Sequence, residues 1–359
     1  MGRVDAGSHG GDPMLRDLLQ VDREHLNFRL AAGALVAILI AELLESVLGI
    51  GLVQTGLAAF LVLASARSGD LRTRLIRMGV VTLIGGAFGL LGYLSADMAW
   101  QAAVVLGVVA YLTGLAYGYG PAAGKAGFYL LAWALAVQIG TAEGVDPPAS
   151  AASFLVGGVV AMIVMGVLGA LRLVDVSPQG VDAATDRPTS PSIGQVASSP
   201  VGTWSLVRAL LVAVAVVVGY QISPDFDPFW VAIVVLVVFL PASDQTTFKA
   251  AQRGIGTLAG ALAGTALLAV TTSEPVIGVA LLAAAFFTAA FYSANYLIYA
   301  FFLTAGIVFY EWFAAGEQLG AGGERLLAAA IGVVLAFIGI WLMTAIQRRG
   351  RAASPGIGD

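Results

Sequence analysis

The chain has 359 residues, of which 59% are hydrophobic and only 11% charged, and its mean hydropathy is +0.90. Soluble domains carry about a quarter charged residues, so this composition excludes a soluble globular protein and favours one that faces lipid. The formal net charge of -4 says little by itself, while the absence of cysteine excludes disulfides, thiolate metal sites and cysteine nucleophiles.

Long apolar runs follow a polar N-terminal segment. Residues 1–26 lack the apolar core and cleavage site of a signal peptide, so we expect this segment to stay in the cytosol. Each later run is close to the length that crosses about 30 Å of hydrocarbon, and such spans must be helical. The sequence therefore predicts an all-α membrane protein with about twelve transmembrane helices near 27–49, 50–66, 75–95, 98–119, 122–142, 149–171, 204–222, 226–242, 252–272, 274–292, 294–314 and 322–346.

A polar stretch divides these runs into two groups of six. It is rich in serine, proline, aspartate and threonine, which predicts a flexible cytosolic linker over residues 174–203. The first six-helix half then covers 27–173 and the second half covers 204–347. A basic C-terminal tail, 348–359, follows the second half.

The positive charges predict how the chain sits in the bilayer. If the N-terminus is cytosolic, all of the 18 lysines and arginines except Arg325 fall in inner loops or at inner helix ends, and the outer loops are acidic. Cationic loops resist translocation. We therefore expect a multi-pass protein of the cytoplasmic membrane with both termini inside. Arg29 and Arg208, at the starts of the two halves, are interpreted as anchors at the inner headgroups.

The two halves share a pattern at a constant offset, which indicates a parallel internal repeat whose axis runs along the membrane normal. Glycines four residues apart lie on one helix face and favour close helix packing; the alternative is that this exposed backbone lines a substrate path. The offset pairs Thr82 with Thr257, Gly85 with Gly260 and Gly89 with Gly264.

One segment carries a family resemblance. From Phe229 to Gly264 the chain reads FWVAIVVLVVFLPASDQTTFKAAQRGIGTLAGALAG, an apolar helix, a polar loop and then a motif. This segment, with Ser293-Ala-Asn-Tyr-Leu further on, resembles the fusaric-acid-resistance family of membrane transporters, and GDLRTRLIRMGVVTLIGGAFG is a looser match in the first half. The residues that carry the motif are Arg253, Gly256, Thr257, Gly260 and Gly264.

The resemblance implies export of small organic anions, typically aromatic carboxylic acids, driven by the proton gradient. A related branch, the plant aluminium-activated malate transporters, implies a passive anion channel instead. Unlike many large members of the family, this sequence has no long soluble domain between its halves.

Candidate substrate contacts cluster at inner helix ends. Arg253 directly precedes the glycine-threonine motif that contains Thr257, and Arg77 belongs to the basic group at the corresponding place in the first half. These cations either anchor the chain at the headgroups or form a vestibule that concentrates anions. A polar and aromatic cluster that includes Asn295 and Tyr296 lies nearby; it is either a substrate contact or part of the interfacial aromatic belt.

The second segment of each half is short and bounded by glycine or proline. Interrupted segments at matching positions of two repeats favour a central transport site. Gln54 and Trp230 lie on these segments and offer amide and aromatic contacts.

Two acids, Glu42 and Glu45, are candidates for proton coupling. Glu42 follows Arg29 by 13 residues, or roughly 20 Å along a helix, and residues three apart share a helix face. A carboxylate at such depth usually faces a cavity or a partner. The alternative is that the helix ends early and both acids lie among the outer headgroups.

No enzyme site is recognisable. Gly120-Pro-Ala-Ala-Gly-Lys-Ala lacks the spacing and the Ser or Thr of a phosphate loop, and no metal-ligand cluster or catalytic triad appears. We therefore predict no cofactor, no metal and no nucleic-acid partner. The leading hypothesis is a proton-coupled exporter of small organic anions; the alternatives are a passive anion channel and a membrane scaffold without transport. A homo-oligomer is compatible with this prediction.

Overall fold

In a computed structural model the chain is a helical bundle, and the residues it describes contain helices and turns but no strand. Each predicted segment carries a helix, with bounds within a few residues of those predicted. The described residues are 20–23, 26–48, 54–65, 69–138, 147–173, 191–222, 229–241, 247–292, 294–315 and 322–352.

The first half contains α1 (Phe28–Leu48), α2 (Thr55–Ser65), α3 (Leu71–Leu94), α4 (Ala99–Leu115), α5 (Pro121–Ala136) and α6 (Pro147–Ala170). The second half contains α7 (Pro200–Ile222), α8 (Trp230–Val238), α9 (Thr247–Val270), α10 (Glu274–Phe291), α11 (Tyr296–Ala315) and α12 (Gly322–Ala352). Within the described chain, nine helices are long and apolar enough to cross a membrane. The other three, α2, α5 and α8, have 11, 16 and 9 residues, so twelve complete crossings stay a prediction.

Local sequence sets several helix ends. Asp70 caps α3, because its side chain accepts a 3.1 Å hydrogen bond from the backbone N–H of Thr73. Gly120 has a φ of 113°, which a residue with a side chain rarely adopts, and Pro121 then begins α5. The tight link between α4 and α5 therefore follows from two adjacent residues.

The helices of the two halves pack in corresponding pairs. In the first half α1 packs on α2 and α6, α2 on α6, and α4 on α5; in the second half α7 packs on α8 and α12, α8 on α12, and α10 on α11. The halves meet through α4 against α7 and α1 against α10. A parallel internal repeat would give such pairs, and the repeat itself stays a prediction.

The two shortest of the twelve numbered helices, α2 and α8, lie at the centre of the bundle. Every residue of α8 is buried, and Leu57 is the one residue of α2 that is not fully buried. Helices that are apolar on all sides are surrounded by protein or lipid rather than water. Their ends therefore lie inside the protein, where the unpaired backbone groups of a helix terminus need partners.

The glycines of α9 allow α11 to approach closely. A Cβ on Gly256 would lie 2.5 Å from the carbonyl oxygen of Leu297, and one on Gly260 would overlap the carbonyl oxygen of Phe301. These overlaps are with backbone atoms, which cannot rotate away. The glycine spacing that the sequence shows is thus explained by helix packing.

Some predicted boundaries differ from the structure. A short helix, Ile193–Ala197, and the start of α7 at Pro200 both fall inside the predicted linker, because Ser192 and Gln195 form a reciprocal cap there. Helix α12 continues to Ala352, into the predicted tail. Helix α1 continues to Leu48, so it does not end before Glu42 or Glu45. Gly49 and Gly51, the glycines around the start of the second predicted segment, lie outside the described residues.

Candidate functional site

A cavity of about 420 Å³ lies between the two halves. Its walls come from α1, α2 and α5 of the first half and from α8, α10 and α11 of the second. The volume is within the range of sites that hold small organic molecules. Both short central helices contribute to the walls, as interrupted segments do at transporter sites.

The cavity lining is mostly apolar. Among the described residues that line it, Glu42 is the one charged side chain, and no lysine, arginine or histidine takes part. Hydroxyl groups come from Tyr129, Thr288 and Tyr310. Such a lining suits an aromatic or aliphatic body and offers few polar contacts to orient it.

Glu42 is held in place by the start of α2. Its Oε1 accepts a 3.1 Å hydrogen bond from the backbone N–H of Gly56. The first N–H groups of a helix have no intrahelical partner, and the helix dipole favours a negative charge at that end. Glu42 therefore satisfies the buried start of α2 and lines the cavity at the same time. Glu45 is half-buried and does not line the cavity.

Arg253 binds the C-terminal end of α8, the other short helix. Its Nη1 donates a 3.3 Å hydrogen bond to the carbonyl oxygen of Val238, the last residue of α8. Its guanidinium carbon lies 4.1 Å from the centroid of the Tyr296 ring. Arg253 is only 4% exposed, so the headgroup-anchor interpretation is wrong for it, since an anchor must reach water.

Three tyrosines connect Arg253 to the first half. Ring centroids of Tyr292 and Tyr299 are 5.1 Å apart, and those of Tyr296 and Tyr299 are 5.4 Å apart. Lys125, from α5, places its Nζ 5.3 Å from the Tyr292 ring centroid. We call Tyr292, Tyr296 and Tyr299 the tyrosine cluster, and the end of the bundle that holds it the basic end.

Lys125 is a site residue that the sequence analysis missed. It was counted only among the inner loop charges, because nothing in the sequence indicates that α5 packs near the turn between α10 and α11.

Asn295 makes two hydrogen bonds to the backbone beside the tyrosine cluster. Its Oδ1 accepts a 2.9 Å hydrogen bond from the N–H of Ile298, which caps α11, and its Nδ2 donates a 2.9 Å bond to the carbonyl oxygen of Gln20. These bonds use both ends of the amide. A role in substrate binding stays a prediction for this residue.

The remaining predicted substrate contacts are dispersed. Thr257, Trp230 and Gln54 are buried, but none of them lines the cavity. The hydroxyl of Thr257 and the Oε1 of Gln54 lack a hydrogen-bond partner in the described part of the chain. Arg77 is half-buried on α3 and also lies away from the cavity. The structure thus brings Arg253 and Tyr296 together and leaves these four apart.

Arg208 is fully buried, which overturns its interpretation as a headgroup anchor. It is 0% exposed, and its three side-chain nitrogens have no hydrogen-bond partner among the described residues. The guanidinium carbon lies 5.2 Å from the Trp204 ring, which in turn stacks on Phe239 with centroids 5.7 Å apart. The position of Arg208 inside an apolar run was the sequence feature that could have identified it as a buried charge, since charges inside a membrane are costly and usually functional.

Glu311 is a second buried charge that the sequence analysis passed over. It is 1% exposed on α11, and its neighbour Tyr310 lines the cavity. An acid within the apolar run of α11 was the signal that could have identified it.

Comparison with known proteins finds a family match in the second half of the chain. The family model described as fusaric acid resistance protein-like matches residues 210–339. This segment includes α8, α9 and the Arg253 motif, and the match confirms the resemblance read from the sequence. Together with the nine apolar helices among the described residues, the match indicates a multi-pass membrane protein of transporter type. No curated protein and no solved structure shows significant similarity to the chain.

Proposed function

From the fusaric acid resistance protein-like match over residues 210–339, we propose that this protein is a secondary transporter that exports small aromatic organic acids. The cavity between the halves is its substrate compartment, and the proton gradient drives it. The observation that carries the proposal is the position of this cavity, which helices of both halves enclose.

The cavity also argues against the scaffold alternative. A scaffold without transport has no need of an internal compartment, and its interior would be packed throughout as protein cores are. Here the two short helices α2 and α8 both line a cavity. Rocking of one half against the other would expose this space to either side in turn.

The basic end supports an acidic substrate. Lys125 and Arg253 bracket the tyrosine cluster, so a carboxylate and an aromatic ring both find partners there. The cavity lies close to this place: it is lined by Thr288 and Leu303, each one helical turn from a tyrosine of the cluster. One turn is about 5.4 Å, so a ligand at the cluster lies next to the cavity.

Glu42 is the proposed coupling group. It lines the cavity and is fixed by the N–H of Gly56. A carboxyl group in an apolar wall gains or loses a proton according to what occupies the space beside it.

A direct test uses purified protein in proteoliposomes with an imposed proton gradient. Export of benzoate-like acids that accelerates when the opposite side is acidified supports the proposal. Acid movement that ignores the proton gradient, together with current that reverses at the equilibrium potential of the anion, supports the channel alternative instead. Absence of flux for the whole panel of acids, malate included, supports the alternative of a membrane scaffold without transport.

A further inference from the structure

The interface between α1 and α10 is closed at one end. At the basic end the rings of Phe28 and Phe286 stack with centroids 6.1 Å apart, and the N–H of Asn27 donates a 3.4 Å hydrogen bond to the carbonyl oxygen of Ala290. These contacts join the start of α1 to the end of α10. The two helices therefore run antiparallel from a sealed junction.

Farther from this junction the cavity separates the same two helices. Ten residues along α1, Ile38 lines the cavity, and eight residues back along α10, Gly278 lines it from the other side. Both positions lie roughly 12–15 Å from the stacked phenylalanines at 1.5 Å per residue. A Cβ placed on Gly278 would have one neighbour within 4 Å, the ring of Phe313 of α11 at 3.6 Å. No atom of α1 comes that close to it.

The corresponding interface, α4 against α7, is closed along more of its length. A Cβ on Gly114 would lie 2.7 Å from the Oγ of Ser205, and one on Gly107 would lie 3.4 Å from the carbonyl oxygen of Ala209. Small residues bring these two helices together over about two turns. The gap between α1 and α10 is thus a feature of one interface and not of both.

The gap reaches the outer surface of the bundle. Leu39 lines the cavity and is 52% exposed, and Glu42, one turn on, is also exposed. The exposed surface of α1 carries leucine, isoleucine and valine, so it faces lipid. If the basic end is cytosolic, as the positive-inside rule predicts, this opening lies in the outer leaflet.

The chemistry of the opening disfavours anions that arrive from the lipid. Among the described residues that line the cavity, the one charged group is the carboxylate of Glu42, and none is a cation. A bare carboxylate that enters from lipid would meet like charge and lose its hydration. An uncharged amphiphile avoids both costs and can place its polar group near Glu42 or Tyr129.

We infer that the cavity has a lateral opening between α1 and α10 through which uncharged aromatic amphiphiles enter from the outer leaflet. The inference rests on the proposed function, because it uses the same cavity. It adds a second ligand class, the neutral amides, esters and protonated forms of aromatic acids, and a route that bypasses the tyrosine cluster.

The chain contains no cysteine, so single-cysteine variants test the opening without a background. Leu39→Cys lies at the opening; Leu43→Cys, 64% exposed on the same helix but outside the cavity lining, is the matched control. Both are labelled in nanodiscs with a lipid-soluble maleimide, with and without 2-naphthamide. At about ten times its Kd the ligand leaves roughly a tenth of the sites open, so labelling of Leu39→Cys slows about tenfold and that of Leu43→Cys does not.

Three results overturn the inference. The first is equal slowing of maleimide labelling at both positions. The second is labelling that 2-naphthoate slows at pH 8 and 2-naphthamide does not. The third is a Leu39→Cys that never reacts while Leu43→Cys does, which indicates that a lipid chain or a second copy covers the opening. A thermal shift of the unaltered protein by 2-naphthamide checks binding without cysteine. Acid flux in proteoliposomes separates the two proposals. If acids are transported but 2-naphthamide does not protect Leu39→Cys from labelling, only the lateral opening is refuted. If 2-naphthamide protects Leu39→Cys but no acid is transported, only the transport of acids is refuted.

Discussion

The carboxylate of Glu42, on α1, accepts a 3.1 Å hydrogen bond from the backbone N–H of Gly56, in the first turn of α2. One side chain therefore links two helices and also lines the cavity. This double position makes the two roles of Glu42 separable, because glutamine keeps a carbonyl oxygen for Gly56 but cannot carry a charge.

Glu42→Gln is expected to lose proton-driven accumulation while exchange of labelled for unlabelled acid continues. The reason is that exchange needs the cavity but no net proton movement. Glu42→Ala is the control for structure: loss of an acceptor at the start of a helix lowers the free energy of unfolding by about 1 kcal/mol. Flux assays and thermal melts of both variants provide the measurement. Unchanged proton-driven uptake in Glu42→Gln contradicts the coupling role.

Gly260→Ala is expected to destabilise the protein, whereas Gly254→Ala on the same helix is not. The added methyl at Gly260 overlaps the backbone carbonyl of Phe301, while at Gly254 the nearest atom would be 3.5 Å away, an ordinary contact with Phe337. Overpacking of this kind costs about 1–3 kcal/mol. Melting temperatures in detergent compare the pair. Equal melting temperatures would show that α9 and α11 can separate freely.

Arg208→Met is expected to leave the protein as stable as before or to stabilise it. The buried guanidinium has no hydrogen-bond partner among the described residues, and its carbon lies 5.2 Å from the Trp204 ring. Apolar replacement of buried charged groups is often neutral or stabilises by about 1–4 kcal/mol. Arg253→Met is the matched comparison and is expected to destabilise, since it leaves the carbonyl of Val238 without its donor. A lower melting temperature for Arg208→Met contradicts this account and indicates that Arg208 holds an ion or another group.

Lys125→Gln is expected to raise the KM for an aromatic acid by about two- to fivefold at low salt, because a partly exposed charge contributes up to about 1 kcal/mol. The effect should shrink as salt rises and screens the charge. Arg29→Gln, an exposed cation outside the tyrosine cluster, is the control. The two variants are compared by initial rates of acid transport at low and high ionic strength. A rise in KM that is the same for both variants argues against a specific role of the cluster.

The stability of α3 is expected to depend on pH through Asp70. Hydrogen bonds from the side chain and backbone of Thr73 hold the pKa of Asp70 below its usual value of 3.8. A carboxyl whose folded pKa is depressed stabilises the fold above its unfolded pKa, and this contribution is lost as pH falls through the folded pKa. Asp70→Asn keeps a capping oxygen but does not titrate. Melting temperatures between pH 6 and pH 3 should therefore fall less in this variant than in the parent; identical pH curves contradict the cap.

Parts of the site were predictable because their signals are local. The motif from Arg253 to Gly264 indicated a family and a packed glycine face, and both agree with the later findings. Glu42 stood out as an acid within an apolar run, and it lines the cavity. Thr257, Trp230 and Gln54 are on the predicted short helices or the motif but point to no common place, because their position depends on how the helices rotate against each other.

What the sequence by itself determined is the class of protein and the order of its helices, since an apolar run of sufficient length must satisfy its own backbone hydrogen bonds in lipid. The tertiary structure alone decided which helices meet. It placed Lys125 beside Tyr292, buried Arg208 against Trp204, and left a cavity that both α1 and α10 line. These contacts join residues far apart in the chain, and in lipid they depend on the fit of helix surfaces. Apolar composition, which all the helices share, does not record that fit.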